Sequence, residues 1–323
     1  MAKPALLVTR KVFPEVLELL APHFEIAANQ DDTPWTPEAL RERARDRDAL
    51  YVVTSDRVDA DLLAAAPRVR IVATGSVGYN HVDLVACRDR DIAVTNTPDV
   101  LTEATADMAW ALLMATARRI CESERWLRAG HWTRWAWDQF LGQDLHGATL
   151  GIVGMGRIGS AVARRARGFD MRILYSNRSR AANESELGAT WVDRETLLRQ
   201  ADHVVLVVPY SAATHHLIGA RELAAMKPTA TLVNIARGGV VDDAALVEAL
   251  RAGRIAAAGL DVYENEPALH PGLLEVPNVV LTPHIGSATR SSRLGMAMLA
   301  ARNLVAWAEG RALITPVRLP DRS

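Results

Sequence analysis

The chain has 323 residues, 49% of them hydrophobic and 23% charged, with a formal net charge of -1. The length allows two domains, and the near-neutral charge argues against nucleic acid or an anionic membrane surface as a partner. No apolar run has transmembrane length, and the first ten residues lack a signal-peptide core. Only two cysteines occur and no C-x-x-C motif is present, so we expect a cytoplasmic protein without a metal site.

Short apolar runs alternate with helical patterns over the first hundred residues, beginning with a strand at 5–8 and a helix at 12–20. This alternation predicts a parallel sheet with helices on both faces. No glycine-rich phosphate loop occurs here, so this region is expected to bind no nucleotide. The further strands are predicted at 23–27, 49–54, 69–73 and 92–95.

Two glycines enclose Ser76 and Val77 directly after the strand predicted at 69–73. Ligands of such sheets gather beyond the carboxyl ends of the strands, and backbone N–H groups in a glycine turn can hold a small anion. An ordinary glycine turn explains the same residues, and the local sequence by itself favours that simpler interpretation.

A long helix is predicted at 101–119, and its first turn contains an acidic residue. Four of the eight tryptophans follow within twelve residues of what is interpreted as a loop. Because tryptophan is enriched at protein interfaces, this segment is expected to form a subunit contact; a small satellite core is the alternative. The four residues are Trp126, Trp132, Trp135 and Trp137.

The motif L-G-I-V-G-M-G-R-I-G at 150–159 places Gly154, Gly156 and Gly159 in G-x-G-x-x-G spacing, between a predicted strand and a predicted helix. Gly154 permits a tight turn, Gly156 lets a pyrophosphate approach the backbone, and Gly159 lets the helix pack closely on the strand. With a second strand at 171–175, this pattern predicts a dinucleotide site rather than a turn without a ligand.

Further short strands are predicted at 191–192, 204–208, 231–234, 256–260 and 279–282, with a helix at 244–251 and a last helix at 292–309. The sequence therefore predicts an α/β protein with two doubly wound parallel sheets. A Rossmann domain at 100–289, which binds the dinucleotide, is inserted into a flavodoxin-like, substrate-binding domain formed by 1–99 and 290–323.

The end of the second Rossmann strand lacks the acidic residue that holds the ribose hydroxyls in NAD-binding versions of the fold. Asn177 and Ser179 can donate hydrogen bonds there, and the guanidinium of Arg178 suits a 2′-phosphate. We therefore expect NADP(H) to be preferred, with NAD(H) possible. The alternative is that Arg178 and Arg180 are solvated surface charges.

Three loops that follow strands carry Arg237, Glu266 and His284. Reduction of a ketone needs a hydride at carbon and a proton at oxygen, and histidine is the natural proton donor near neutral pH. Glu266 would orient the imidazole, and Arg237 would bind a substrate carboxylate and polarise the adjacent carbonyl.

At these residues the chain resembles the D-isomer-specific 2-hydroxyacid dehydrogenase family, especially its glyoxylate/hydroxypyruvate and 2-ketogluconate reductase branch. The resemblance is carried by the stretches 73–83, 96–107, 150–159, 234–243, 259–267 and 283–289. It implies that Arg237, Glu266 and His284 are catalytic, and that Ser76, Val77 and Gly78 bind the substrate carboxylate with Arg237. It also implies a homodimer formed through the cofactor domain, including the segment 126–137.

The resemblance implies further cofactor contacts from the long helix and from loops of the Rossmann domain. Thr105 is one of them, Val208 and Pro209 form a wall beside the adenosine, and Asp261 binds the nicotinamide carboxamide. Together with the motif residues, the expected cofactor contacts are Thr105, Gly154, Met155, Gly156, Arg157, Ile158, Gly159, Asn177, Arg178, Ser179, Val208, Pro209, Thr214, Ala236, Asp261, His284 and Gly286.

The expected function is NADPH-dependent reduction of glyoxylate or hydroxypyruvate to the 2-hydroxy acid. Reduction of 2-ketogluconate by the same mechanism is the alternative, since pocket size is not visible in a sequence. Less favoured are a phosphite-type oxidation on the same scaffold and a non-catalytic dinucleotide sensor; the joint presence of Arg237, Glu266 and His284 argues against the sensor.

Overall fold

The computed structural model of the protein describes residues 2–321. The chain divides into two compact units, Met1–Leu101 with Thr289–Ser323, and Thr102–Ala288. Each unit is built on its own parallel sheet, of five and seven strands, so the predicted architecture of two parallel α/β sheets is confirmed.

The first unit contains a five-stranded sheet in the order β2-β1-β3-β4-β5. Its central strands consist of buried residues throughout, as expected for a sheet covered on both faces. Three of its helices begin at a residue whose side chain accepts the N–H three residues later. The elements are β1 (Ala5–Val8), α1 (Pro14–Leu20), β2 (Glu25–Ala28), α2 (Pro37–Ala44), β3 (Ala49–Val52), α3 (Ala60–Ala65), β4 (Ile71–Thr74), α4 (Leu84–Asp89) and β5 (Ala93–Thr95).

The second unit contains a seven-stranded parallel sheet. Its elements are α5 (Thr102–Ala117), α6 (Ile120–Arg128), β6 (Thr149–Val153), α7 (Arg157–Ala166), β7 (Arg172–Ser176), α8 (Glu184–Leu187), β8 (Ala189–Trp191), α9 (Arg194–Gln200), β9 (His203–Leu206), α10 (Ala220–Ala225), β10 (Thr231–Asn234), α11 (Asp243–Arg251), β11 (Ala257–Leu260), α12 (Gly272–Glu275) and β12 (Val279–Leu281).

The strand order β12-β11-β10-β9-β6-β7-β8 reverses at β6, which pairs with β7 on one side and β9 on the other. Because all seven strands are parallel, their carboxyl ends lie along one edge of the sheet. The reversal opens a crevice at that edge, where doubly wound sheets bind their ligands.

The last helix, α13 (Arg290–Ala308), belongs to the first unit. It packs against α1 and β4, and Tyr51 of β3 donates its hydroxyl to the carbonyl of Ala297. Thr289 begins this helix by accepting the N–H of Ser292.

The tryptophan-rich segment differs in one respect from its interpretation as a loop, since Trp126 lies in the helix α6. The ring of Trp126 packs edge-on against Phe140, whereas Trp132, Trp135 and Trp137 are exposed. Within residues 2–321, none of the helices combines the length and the apolar character that crossing a bilayer would require.

Candidate active site

The loop between β6 and α7 has the shape that its glycine spacing predicts. Gly154 adopts a positive φ of 108°, and a Cβ on it would lie 2.8 Å from the carbonyl of Val207. A Cβ on Gly159 would lie 2.1 Å from the carbonyl oxygen of Gly154, whereas one on Gly156 would meet no atom within 4 Å. The turn and the close packing therefore depend on glycine, and the backbone at Gly156 borders open space.

The same loop presents unused backbone donors. The N–H groups of Gly156, Ile158 and Gly159 find no acceptor among residues 2–321. They lie at the N-terminus of α7, whose dipole favours negative charge. Met155 is buried, and its N–H donates to Oδ1 of Asn177 at 2.7 Å. The residues present therefore fit a pyrophosphate, with Arg157 exposed beside them.

The two arginines that follow β7 differ in their contacts. Arg178 and Ser179 are exposed, and within the described residues Arg178 has no ion pair or hydrogen bond. Arg180 instead pairs with Glu184 at 2.9 Å and covers the ring of Trp191. Oδ1 of Asn177 accepts the N–H of Met155, so the NH2 group of the Asn177 side chain is left as a donor. Of these two arginines, Arg178 is therefore the one whose guanidinium has no partner among residues 2–321.

His284 and Glu266 lie in the loops after β12 and β11 and contact each other directly. Nδ1 of His284 lies 3.0 and 3.1 Å from the two carboxylate oxygens of Glu266. The two side chains are 34% and 31% exposed, so solvent or a ligand reaches them. This pair places a carboxylate on one ring nitrogen and leaves Nε2 to act as a donor, as an acid–base histidine requires.

Arg237 follows β10 and is half-buried. Its Nη1 donates to the carbonyl of Ala236 at 2.7 Å, the one hydrogen bond that its guanidinium makes within residues 2–321. Burial lowers the pKa of Arg237, and the carboxylate of Glu266 acts in the opposite direction. A desolvated guanidinium with unused donors is suited to bind a carboxylate.

The backbone around Arg237 is fixed by two contacts. Asn234 accepts the N–H of Ala236 and donates to the carbonyl of Arg237, at 3.0 and 3.2 Å. Gly238 packs so tightly that a Cβ there would lie 1.6 Å from the carbonyl oxygen of Tyr263. The loop that carries Arg237 is therefore seated against the loop that carries Glu266.

Asp261 is only 2% exposed, and its carboxylate accepts three hydrogen bonds. They come from the N–H groups of Ile285 and Gly286 and from the hydroxyl of Thr282, each at 2.7 Å. Gly286 in turn faces Thr105 of α5, since a Cβ on Gly286 would lie 3.6 Å from the Thr105 methyl carbon.

The loop after β9 contains the remaining expected cofactor contacts. Thr214 accepts the N–H of Ser211 and donates to the carbonyl of Pro209, both at 2.8 Å, which closes a turn. Val208 is half-buried and lies next to the backbone that Gly154 approaches. Thr214 thus shapes this loop, while Pro209 is exposed at its start.

In the first unit, the loop after β4 is held through its carbonyl groups. The carbonyl of Ser76 accepts the N–H of Thr97 at 3.0 Å, that of Val77 accepts the side-chain amide of Asn96 at 2.8 Å, and that of Gly78 accepts the Ser76 hydroxyl at 2.7 Å. The N–H groups of Ser76, Val77 and Gly78 have no acceptor among residues 2–321. Three consecutive free N–H groups form a concave site for an anion.

Residues that the sequence reasoning did not single out support this loop. Nε2 of His81 lies 3.0 Å from the hydroxyl of Thr74, which lies 2.8 Å from the hydroxyl of Ser76. Because Ser76 donates to Gly78, the consistent direction runs from His81 to Thr74 to Ser76. No local pattern identifies Thr74 or Asn96, since their role depends on strands that are distant in sequence.

His215, His216 and Glu264 form a separate group with ligand atoms within 4.8 Å of one another. The two imidazole rings are stacked with 23° between their planes, so their in-plane lone pairs do not converge. Nε2 of His216 is engaged by Glu264 at 3.1 Å. The group is therefore better explained as a hydrogen-bonded histidine–glutamate pair with a stacked histidine than as a metal site.

Comparison with known proteins extends over nearly the whole chain. The profile of the D-isomer specific 2-hydroxyacid dehydrogenase NAD binding domain matches residues 110–286. Glyoxylate reductases of Thermococcus onnurineus and Aeropyrum pernix are 52% identical over 313 residues and 51% identical over 318 residues. The first alignment covers 95% of this chain and 94% of the relative, and the second covers 96% and 95%.

Solved structures agree with the sequence relatives. The crystal structure of an NADPH-dependent glyoxylate/hydroxypyruvate reductase from Sinorhizobium meliloti, in complex with NADP and malonate, is similar with a TM-score of 0.87. The two chains are 39% identical, and the match covers 100% of both. The chain therefore belongs to the D-isomer specific 2-hydroxyacid dehydrogenase family, a family of oxidoreductases.

Proposed function

We propose that this protein is an NADPH-dependent reductase of small 2-keto acids, with glyoxylate and hydroxypyruvate as substrates. The observation that carries the proposal is the contact of 3.0 Å between His284 and Glu266, beside the sparsely paired guanidinium of Arg237. Relatives about half identical to this chain are named glyoxylate reductases. A geometry suited to proton transfer and carboxylate binding is consistent with that substrate class.

The coenzyme site is assigned to the unit Thr102–Ala288 and the substrate site to the unit Met1–Leu101 with Thr289–Ser323. When bound, the reduced nicotinamide supplies the hydride. The free N–H groups of Gly156, Ile158 and Gly159 would hold the pyrophosphate. The unpaired guanidinium of Arg178 would hold a 2′-phosphate, which supports NADPH over NADH.

The chain's own side chains have separate roles in this proposal. His284 donates the proton to the carbonyl oxygen from Nε2, and Glu266 holds the ring through Nδ1. Arg237 binds the substrate carboxylate through the donors that its guanidinium leaves unused. In the first unit, the free N–H groups of Val77 and Gly78 are suited to an anion. Acid–base catalysis of this kind contributes about 10²–10⁴-fold to the rate.

We also propose a homodimer that pairs through the second unit. Trp132, Trp135 and Trp137 are exposed, the last of them by 86%, although each is large and apolar. Exposed tryptophans grouped in one segment are typical of a protein interface. Sedimentation equilibrium of the wild type and of Trp135→Ser/Trp137→Ser tests this proposal; a wild-type monomer at micromolar concentration contradicts it.

Steady-state kinetics with three 2-keto acids and both coenzymes tests the proposed reaction. We expect kcat/KM to be highest for glyoxylate or hydroxypyruvate with NADPH, and lower for each acid with NADH. A clear preference for 2-ketogluconate would instead support the alternative substrate. Tight NADPH binding without turnover of any of the three acids would refute the reductase and favour a dinucleotide sensor.

A further inference from the structure

The turn that presents His284 is unusual in its backbone. His284 adopts a positive φ of 51°, a conformation that residues other than glycine rarely adopt, and its N–H bonds to the carbonyl of Thr282 at 3.0 Å. Such a conformation persists only where its surroundings impose it. This hydrogen bond restrains the chain only between Thr282 and His284. A further contact is needed to hold the residues that follow His284.

The carboxylate of Asp261 provides that restraint from the neighbouring strand end. Oδ1 accepts the hydroxyl of Thr282 and the N–H of Ile285, and Oδ2 accepts the N–H of Gly286, each at 2.7 Å. These donors lie on both sides of His284 in the chain. One buried carboxylate therefore closes the turn, with the imidazole projecting from its apex.

Asp261 also lies five residues before Glu266, the partner of His284. Its own N–H bonds to the carbonyl of Asn234 at 3.0 Å, at the end of β10. The carboxylate thus links the loop of Glu266 to the loop of His284. A shift of that carboxylate moves the imidazole relative to Glu266.

We propose that Asp261 is a positioning residue for His284, acting through the backbone of residues 282–286; this inference rests on the proposed reductase function. It is distinct from the contact with the nicotinamide carboxamide that the family resemblance implies for Asp261. A carboxylate offers about four acceptor sites, and the turn uses three of them. One site remains, so the two roles are compatible and separable by experiment.

The decisive variants remove bonds of the turn to different extents. Asp261→Asn keeps one side-chain oxygen and replaces the other by an NH2 group. That group cannot accept a hydrogen bond from the backbone N–H that it faces. Thr282→Val removes one bond and leaves the carboxylate in place for the coenzyme; Thr282→Ser keeps the hydroxyl and serves as the matched rescue. Each variant is measured for kcat and KM with glyoxylate, for the NADPH dissociation constant by fluorescence, and for hydrogen exchange of the peptide 280–288 in the free protein.

We expect kcat to fall about 10–100-fold in Asp261→Asn, because a displacement of about 1 Å in a catalytic group has effects of that size. In Thr282→Val we expect a smaller fall in kcat, an NADPH dissociation constant within about threefold of wild type, and faster exchange of the peptide 280–288. Thr282→Ser is expected to restore both kcat and exchange.

Two results would overturn the positioning role. The first is unchanged exchange of the peptide 280–288 in both Asp261→Asn and Thr282→Val. The second is a loss of NADPH affinity in Asp261→Asn while kcat at saturating coenzyme is retained. If the wild type reduces no 2-keto acid, the proposed function fails, but the exchange measurement still decides whether Asp261 fixes the turn.

Discussion

The two sheets of this protein use different chemistry at their carboxyl ends. In the seven-stranded sheet, side chains from separate loops contact each other, as with His284 and Glu266 at 3.0 Å. In the five-stranded sheet, the loop at Ser76–Gly78 instead presents three backbone N–H groups, and its carbonyls are held by the hydroxyl of Ser76, the side-chain amide of Asn96 and the N–H of Thr97. One edge offers ionisable groups, and the other offers a fixed and neutral anion site.

Because of this difference, substitutions at the two sheet edges should have different kinetic effects. In the proposed function, ionisable side chains set proton transfer and coenzyme choice, so changes at the seven-stranded sheet should alter kcat, coenzyme preference and pH dependence. A backbone site binds an anion without titrating, so changes that loosen it should alter the KM for the keto acid alone.

Replacement of His284 by alanine is expected to have the largest effect. Loss of the proton donor should lower kcat with glyoxylate by about 10²–10⁴-fold, while NADPH binds as before. Stopped-flow turnover and fluorescence titration measure the two quantities. His146→Ala is the matched control, because that side chain is 78% exposed and lies outside the site. Turnover near the wild-type rate would refute His284 as the acid.

Replacement of Arg178 by aspartate should shift coenzyme choice. A charge-assisted hydrogen bond contributes about 1.5–3 kcal/mol, so the ratio of kcat/KM for NADPH over NADH should fall by at least tenfold. The KM for glyoxylate should change little. Arg180→Asp is the control, since Arg180 already pairs with Glu184. Equal shifts in the two variants would indicate a general charge effect and not a specific phosphate contact.

Replacement of Asn96 by alanine tests the backbone site of the other sheet. Without the bond from Asn96 to the carbonyl of Val77, the peptide groups of the loop can rotate, and the KM for glyoxylate should rise about five- to tenfold. The KM for NADPH should not change. The control is Asn29→Ala, which removes the bonds from Asn29 to the carbonyls of Thr9 and Thr33 elsewhere in the same unit. If both variants raise the KM equally, general destabilisation explains the effect.

Asp243 lies outside the comparison of catalytic groups, and its predicted effect is on stability and not on activity. Burial raises the pKa of this carboxyl from 3.8 to about 6, and the carboxylate of Glu264 also raises it. Because the folded state holds this proton more tightly than the unfolded state, the stabilisation is complete below pH 4 and is lost as the pH rises through 6. Asp243→Asn removes this titration and can still accept the N–H of Glu264.

The free energy of unfolding of Asp243→Asn, relative to wild type, should therefore rise by about 2 kcal/mol between pH 4 and pH 7. Urea denaturation at both pH values measures the change, and parallel behaviour of the two proteins would contradict the raised pKa. The same experiment on Asn96→Ala should give a difference from wild type that does not vary with pH.

Short stretches of sequence predicted the structure well where an element depends only on residues near it in the chain. The helix start at α7 depends on glycines within six residues, and the predicted strands 5–8 and 231–234 match β1 and β10. The predicted strand 204–208 extends past the observed β9, which ends at Leu206. The helix α6 was missed, and none of its residues is buried.

Sequence alone was enough to predict the two parallel sheets, the glycine turn between β6 and α7 and the residues with useful chemistry. This was possible because periodicity, glycine spacing and the chemical type of each side chain are properties of single residues or short segments. Which of these groups contact each other depends on the tertiary fold. Asp261 closes the turn of His284, and Asn96 holds the loop of Val77, because parallel strands bring residues about twenty apart in sequence to one edge of a sheet.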